Sequence, residues 1–192
     1  IFNQLPQNTQ NYLNKINHRS LEQDIYEKID KIDNLNILII GDTIIDEYIY
    51  VSPLSKPSKE NIISTLYDYN EKFLGGVTAS ANLISNFSKK TTLFSLTGND
   101  KEIKTLMDEK LSPNINSTIF KNNDFVTIKK SRIIERDHLK KLFEISYFNS
   151  KETDKKLISD INEWLKENIP QYDAVIVNDF LIFSIYHSRF CH

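Results

Sequence analysis

The sequence predicts an α/β fold in which helices flank a parallel sheet and a small antiparallel β lid is attached to it. Three observations carry that expectation. Short continuous apolar runs at 36–40, 91–96 and 173–178 have the texture of strands covered on both faces. Segments of helical period lie between them, and the remaining segments alternate apolar with polar residues. All four glycines, Gly41, Gly75, Gly76 and Gly98, stand where an apolar run ends. Glycine weakens helices and strands, so such sparing use points to sites of positive φ or close backbone approach.

Residues 1–19 are rich in Asn and Gln and read as a linker or the tail of a preceding domain. Order is expected from Ser20, which forms a capping-box pattern with Gln23. Leu21, Ile25, Ile29 and Ile32 then share one helical face. The run 36–40 is a buried strand, 77–88 a helix, 91–96 a second strand and 100–111 a second helix. Mixed segments at 47–52, 61–70, 117–120, 125–135 and 141–148 suit a sheet exposed on one face. A helix over 151–169 presents Leu157, Ile158, Ile161, Trp164 and Leu165 inward and ends at Pro170. A third buried strand follows at 173–178, and 181–192 shows no clear period.

The chain has 192 residues, 40% hydrophobic and 26% charged, with a formal net charge of -2. That is a globular composition with no global positive field to recruit nucleic acid. The lone Cys191 forms no internal disulfide, so a reducing compartment is expected. No run approaches the roughly 20 apolar residues that span a bilayer, and the first residues lack a signal-peptide pattern. A cytoplasmic protein without membrane partners is expected. The chain starts at Ile1 and its one methionine is Met107, which suggests a piece of a longer translation product.

Neither G-x-G-x-x-G nor a Walker-type phosphate loop occurs, and no G-x-S-x-G elbow is present. His18, His138, His187 and His192 are too dispersed for a zinc site. Asp42 and Asp46 follow a buried strand, where α/β proteins place ligands. Asp46 could accept hydrogen bonds from two sugar hydroxyls, or it could simply face solvent while Asp42 caps a turn. Gly75 and Gly76 lead into small residues, Thr78 to Ala81, which would expose helix amino-terminal N–H donors. Tight helix–sheet packing explains the same pattern. Alternation puts Lys130, Arg132 and Arg136 on one strand face, as a phosphate grip or as an ordinary solvated face.

In order, ILIIGDTIID (37–46), residues 47–51, GGVTASAN (75–82), TTLFSLTGND (91–100) and 127–143 resemble the ribokinase-like, or PfkB, carbohydrate kinases. The similarity is greatest to the heptose-phosphate kinase branch, and DAVIVNDF (173–180) also resembles that branch. It covers roughly residues 36–180. In that branch the kinase domain is often joined to a nucleotidyltransferase domain.

The resemblance implies a ribokinase-like domain over 36–192, preceded by a linker or tail plus helix over 1–35, with lid segments at about 47–70 and 117–148. It implies a parent enzyme that uses ATP and Mg to phosphorylate a sugar or sugar phosphate. Asp46 is the acid expected to bind sugar hydroxyls, and Gly75 and Gly76 the substrate-side glycine pair. The family carries asparagine shortly after the pair, where this chain has Ala79 and Ser80, so Asn82 stands as a displaced candidate. Lys130, Arg132 and Arg136 complete the candidate substrate set. No G-A-G-D-like element occurs in these residues, so the catalytic base is expected beyond them and the isolated chain is expected to be inactive. The alternative is a degenerate kinase-like module that binds a sugar phosphate or forms a homodimer through the lid sheet.

Overall fold

One strand of 18 residues, β1 (Asn36–Pro53), serves two sheets. The computed structural model of the chain describes residues 5–16, 19–54, 62–123, 125–148 and 154–178. The first part of β1 pairs in parallel with β3 (Lys90–Gly98) and β7 (Ala174–Asn178). β3 pairs in parallel with β4 (Ile115–Asn122), so the central sheet runs β4-β3-β1-β7. From Thr43 onward β1 turns to new partners. It pairs antiparallel with β2 (Thr65–Gly76) and parallel with β5 (Ile128–Glu135), and β6 (Lys140–Tyr147) adds antiparallel to β5. This second, lid sheet runs β2-β1-β5-β6.

Helices cover the central sheet as the apolar runs require. Ile37 and Ile39 of β1, with Leu93, pack against Val77 and Ala81 of α3 (Val77–Ile84). The alternate residues Leu38 and Ile40, with Phe94, pack against Ile161 and Leu165 of α5 (Lys155–Asn168). Leu38, Ile39 and Ile40 are fully buried, which stabilises the fold by about 1.5–3 kcal/mol for each side chain. Ile103 and Leu106 of α4 (Lys101–Lys110) reach Ile45 and Leu74 where β1 enters the lid. Asp100 caps α4 by accepting from the Ile103 N–H at 3.0 Å.

Several expectations are corrected. Gly41 does not close a strand but sits inside β1, where a Cβ would lie 2.0 Å from the Asn178 carbonyl oxygen. Close approach of β7 is therefore what this glycine allows. The lid is mixed rather than antiparallel, because β1 and β5 run in the same direction. Residues 117–120 belong to β4 in the central sheet rather than to the lid. An edge strand pairs on one side only, and its half-exposed side chains carry the same mixed pattern as a lid strand. β7 likewise borders the sheet among the described residues, and Val175 and Val177 are exposed instead of buried.

Helix α1 (Gln7–Ile16) occupies part of the stretch read as a linker, and α2 (Arg19–Ile32) follows it. Ile25, Ile29 and Ile32 share a face as expected, yet they are exposed among the described residues. α3 stops at Ile84 rather than reaching 88. Ser85 and Asn86 side chains donate to the Asn82 carbonyl and Ser88 donates to that of Ile84, which competes with further helical turns. The side chains of Ser20 and Leu21, and residues His18 and 179–192, lie outside the description. No helix among the described residues is long and apolar enough to cross a membrane.

Candidate functional site

Asp46 stands just beyond the point where β1 leaves the central sheet, diagonal to Gly75 on the antiparallel neighbour β2. A Cβ on Gly75 would lie 2.0 Å from Asp46 Oδ2, so the carboxylate rests where a side chain would begin. Gly76 has φ of +59° and caps α3, with no side chain closing that helix end. Only glycine adopts this conformation cheaply, and a Cβ there would also come within 2.3 Å of the Asp42 carbonyl oxygen. The Thr78 hydroxyl donates to the Gly75 carbonyl at 2.6 Å and steadies the turn. Asp46, Gly75 and Gly76 thus come together as the sequence suggested.

Arg132 of β5 reaches the same place. Its Nη1 donates to Asp46 Oδ1 at 2.5 Å, its Nε pairs with Glu144 of β6 at 2.9 Å, and its guanidinium lies 5.5 Å from the Tyr48 ring. Burial acts to lower the Arg132 pKa, but the Asp46 bond and the charges of Asp46 and Glu144 outweigh it and raise the pKa further. Arg132 remains a cation with two sides of its fork engaged by carboxylates. Lys130 is the register partner of Asp46 across the parallel pair, on the same face.

Two candidates fall elsewhere. Arg136 lies four residues past Arg132, about 13 Å further along an extended strand, and pairs with Asp68 at 3.4 Å and Asp137 at 3.3 Å. The cations therefore do not assemble into one grip. Asn82 donates to the Lys110 carbonyl and accepts from the Ser112 N–H, both at 2.9 Å. Its amide ties α3 to the end of α4, and so is not presented to a ligand beside Asp46.

The sequence reading missed the reverse face of the lid. Glu47, adjacent to Asp46, points to the opposite side and is buried. Its carboxylate accepts from the Ser131 hydroxyl at 2.5 Å and the Asn70 amide at 2.8 Å, with Lys72 at 3.6 Å. Burial raises the Glu47 pKa, while the bonds from Ser131 and Asn70 and the charges of Lys72 and Lys129 lower it more, leaving it below the usual value. An acid pair, Asp46-Glu47, inside a strand-like apolar stretch was the available signal. Strand alternation dictates that its second member faces away from the first.

On the Asp46 side, Tyr48, Tyr50, Glu71 and Phe73 line a shallow dish of about 350 Å³. Tyr50 stacks on Tyr69 with ring centroids 4.5 Å apart, and Tyr48 meets Phe73 edge-on at 5.7 Å. A second cavity of about 210 Å³ beside α4, reaching Gly98 and Ser117, shares none of these residues. Among the described residues, no group of three or more His, Cys, Asp or Glu side chains could hold a metal ion.

A four-stranded parallel sheet between helices, whose central strand continues into a β lid and presents an aspartate over a glycine pair, defines a ribokinase-like α/β domain. No protein-family model matches the chain. It is similar to the bifunctional protein HldE of Aliarcobacter butzleri, 32% identical over 154 residues, covering 76% of this chain and 30% of that protein. The bifunctional protein HldE of Vibrio vulnificus is 27% identical over 157 residues, 81% of this chain and 32% of its own length. The chain thus spans about a third of the curated relatives it matches. In fold it is similar to the Escherichia coli phosphofructokinase-2 solved with fructose-6-phosphate, with a TM-score of 0.52, 10% identity and coverage of 75% of this chain and 45% of that one. A structure described as Sa239 gives 0.56 at 16% identity, covering 75% and 46%. The chain belongs to the ribokinase-like (PfkB) carbohydrate kinase family and carries a partial kinase domain.

Proposed function

We propose that these residues form the sugar-recognising part of an ATP-dependent carbohydrate kinase, which acts on a sugar or sugar phosphate within a bifunctional kinase and nucleotidyltransferase. The observation that carries this reading is the Asp46 carboxylate lying over Gly75 with Arg132 beside it. A carboxylate bound on one side keeps acceptor capacity for sugar hydroxyls on the other, and Arg132 fixes its orientation. Tyr48 and Phe73 give the apolar wall that a sugar ring face requires. ATP supplies the phosphoryl group in this chemistry and Mg neutralises its charge. The described residues offer no cluster fit for the metal, so Mg is not assigned to their side chains.

Holding the acceptor sugar in place is where such a part would contribute most, since positioning supplies much of the barrier reduction in phosphoryl transfer. The test is kinetic. In the intact enzyme, Asp46→Ala should lower kcat/KM for a heptose phosphate by about a hundredfold or more, as expected for loss of a charged hydrogen-bonding partner. Unchanged kinetics would remove Asp46 from the site.

A second reading, a sugar-phosphate-binding or dimerising module without catalysis, draws support from Arg132 already engaging Asp46 and from the exposed Tyr69 and Phe73 on the lid. ATP turnover by the intact protein with a heptose phosphate separates the two, since a module of this kind would dimerise or bind without any sugar-dependent turnover.

A further inference from the structure

Glu102 lies in the first turn of α4, and its carboxylate meets lysines from two different lid strands. It pairs with Lys72 of β2 and, at 3.5 Å, with Lys129 of β5. Lys72 continues to Glu47 at 3.6 Å, and Glu47 is itself bonded to Ser131, the residue before Arg132. A charged path therefore runs from a helix of the body to the two lid residues flanking the Asp46–Arg132 pair. Beneath it, Ile103 and Leu106 pack on Ile45 and Leu74, and Lys110 Nζ donates to the Lys72 carbonyl at 2.6 Å.

The apolar contacts hold the root of the lid, near Leu74. At the start of β5, Ile128 is buried with Leu96 against Phe120 and Leu157, and Thr127 just before it donates to Asp100; one residue further out, Lys129 adds the ion pair to Glu102. Its charges and those of its partners are a quarter to a third exposed, so water screens them and they add little to global stability. A contact of that kind can open without unfolding the body, and it determines where a sheet stands more than whether it forms. We infer that Glu102 is a positioning residue: it fixes the lid sheet to α4 through Lys72 and Lys129, and so sets where Asp46 and Arg132 are presented. The consequence for sugar use rests on the function proposed above, but the attachment itself does not.

Amide hydrogen exchange on the 192-residue chain tests the attachment, comparing wild type, Glu102→Gln and the control Glu109→Gln on the exposed last turn of the same helix. Glu102→Gln should raise exchange in β5 and β6 about tenfold while β3 and α5 stay protected, and Glu109→Gln should change neither. Unchanged lid exchange, or an equal rise in β3, overturns the inference. In the intact enzyme with a heptose phosphate, Glu102→Gln should raise KM about tenfold with kcat within about twofold, and Glu102→Asp should restore most of the loss. Raised lid exchange with an unaltered KM would uphold the attachment and count against the sugar-site reading instead.

Discussion

Asp46 and Gly75 interlock: the carboxylate oxygen of one occupies the space in which a side chain of the other would start, 2.0 Å from the Cβ position. Substitution at either residue therefore acts on the same few cubic ångströms. Gly75→Ala should displace the carboxylate and break its alignment with Arg132. We expect a destabilisation of about 1–3 kcal/mol, typical of overpacking, read by urea unfolding. Sugar kcat/KM of the intact enzyme should fall in parallel. Wild-type stability and kinetics in this variant would show that the carboxylate does not need its place over β2.

The Asp46–Arg132 pair is mostly shielded, with side chains 23% and 18% exposed. Arg132→Met keeps much of the stem and removes the charge, leaving Asp46 without its cation. A loss of about 1–3 kcal/mol is expected, discounted for partial solvent access. Equilibrium unfolding checks it, and the double variant with Asp46→Asn should lose clearly less than the two single losses added.

Acid should weaken the lid through Glu47. Its folded-state pKa lies below the ordinary 4.5: burial raises it, but the bonds from Ser131 and Asn70 and the charges of Lys72 and Lys129 together lower it more. The stability it contributes is thus fully present above about pH 4.5 and is lost as pH falls through the lower folded value. Thermal unfolding followed across that window should show a steeper acid loss for wild type than for Glu47→Gln. Parallel curves would mean that Glu47 is not held ionised by the fold.

Gly41→Ala places a methyl 2.0 Å from the Asn178 carbonyl, against backbone that a rotamer change cannot move. β7 must shift away from β1. Hydrogen exchange should report faster opening of 174–178 with β3 nearly unaffected, and stability should drop by about 2 kcal/mol or more. Protection of β7 equal to wild type would refute the close-approach role.

The 192 residues contain no G-A-G-D-like element. We therefore expect no sugar-dependent ATP turnover by the purified chain, measured by coupled ADP release. Turnover above background would place the catalytic base within these residues.

Much of the framework was legible from local pattern. Continuous apolar runs marked the early part of β1 and β3, helical period marked α2, α4 and α5, and the glycine pair located the turn into α3 beside Asp46. Those features depend on neighbours within a few residues, which is the range over which periodicity and capping chemistry act. Edge strands broke the rule. Among the described residues β4 and β7 pair on one side, so their side chains took on the texture of a lid or remained exposed where burial was expected.

By itself, the sequence determined that β1 begins as a buried parallel strand and that an acid follows it next to a glycine-led helix. Only the tertiary structure decided that β1 runs on unbroken into a second sheet, that Arg132 meets Asp46 across 86 positions, and that Ser131 meets Glu47 across 84. Cross-strand register brings those partners together, and register is set by how whole strands align rather than by any window of sequence. The same holds for the tie from Glu102 to Lys72 and Lys129, where a helix of the body and two strands of the lid must be in place before the charges can find one another.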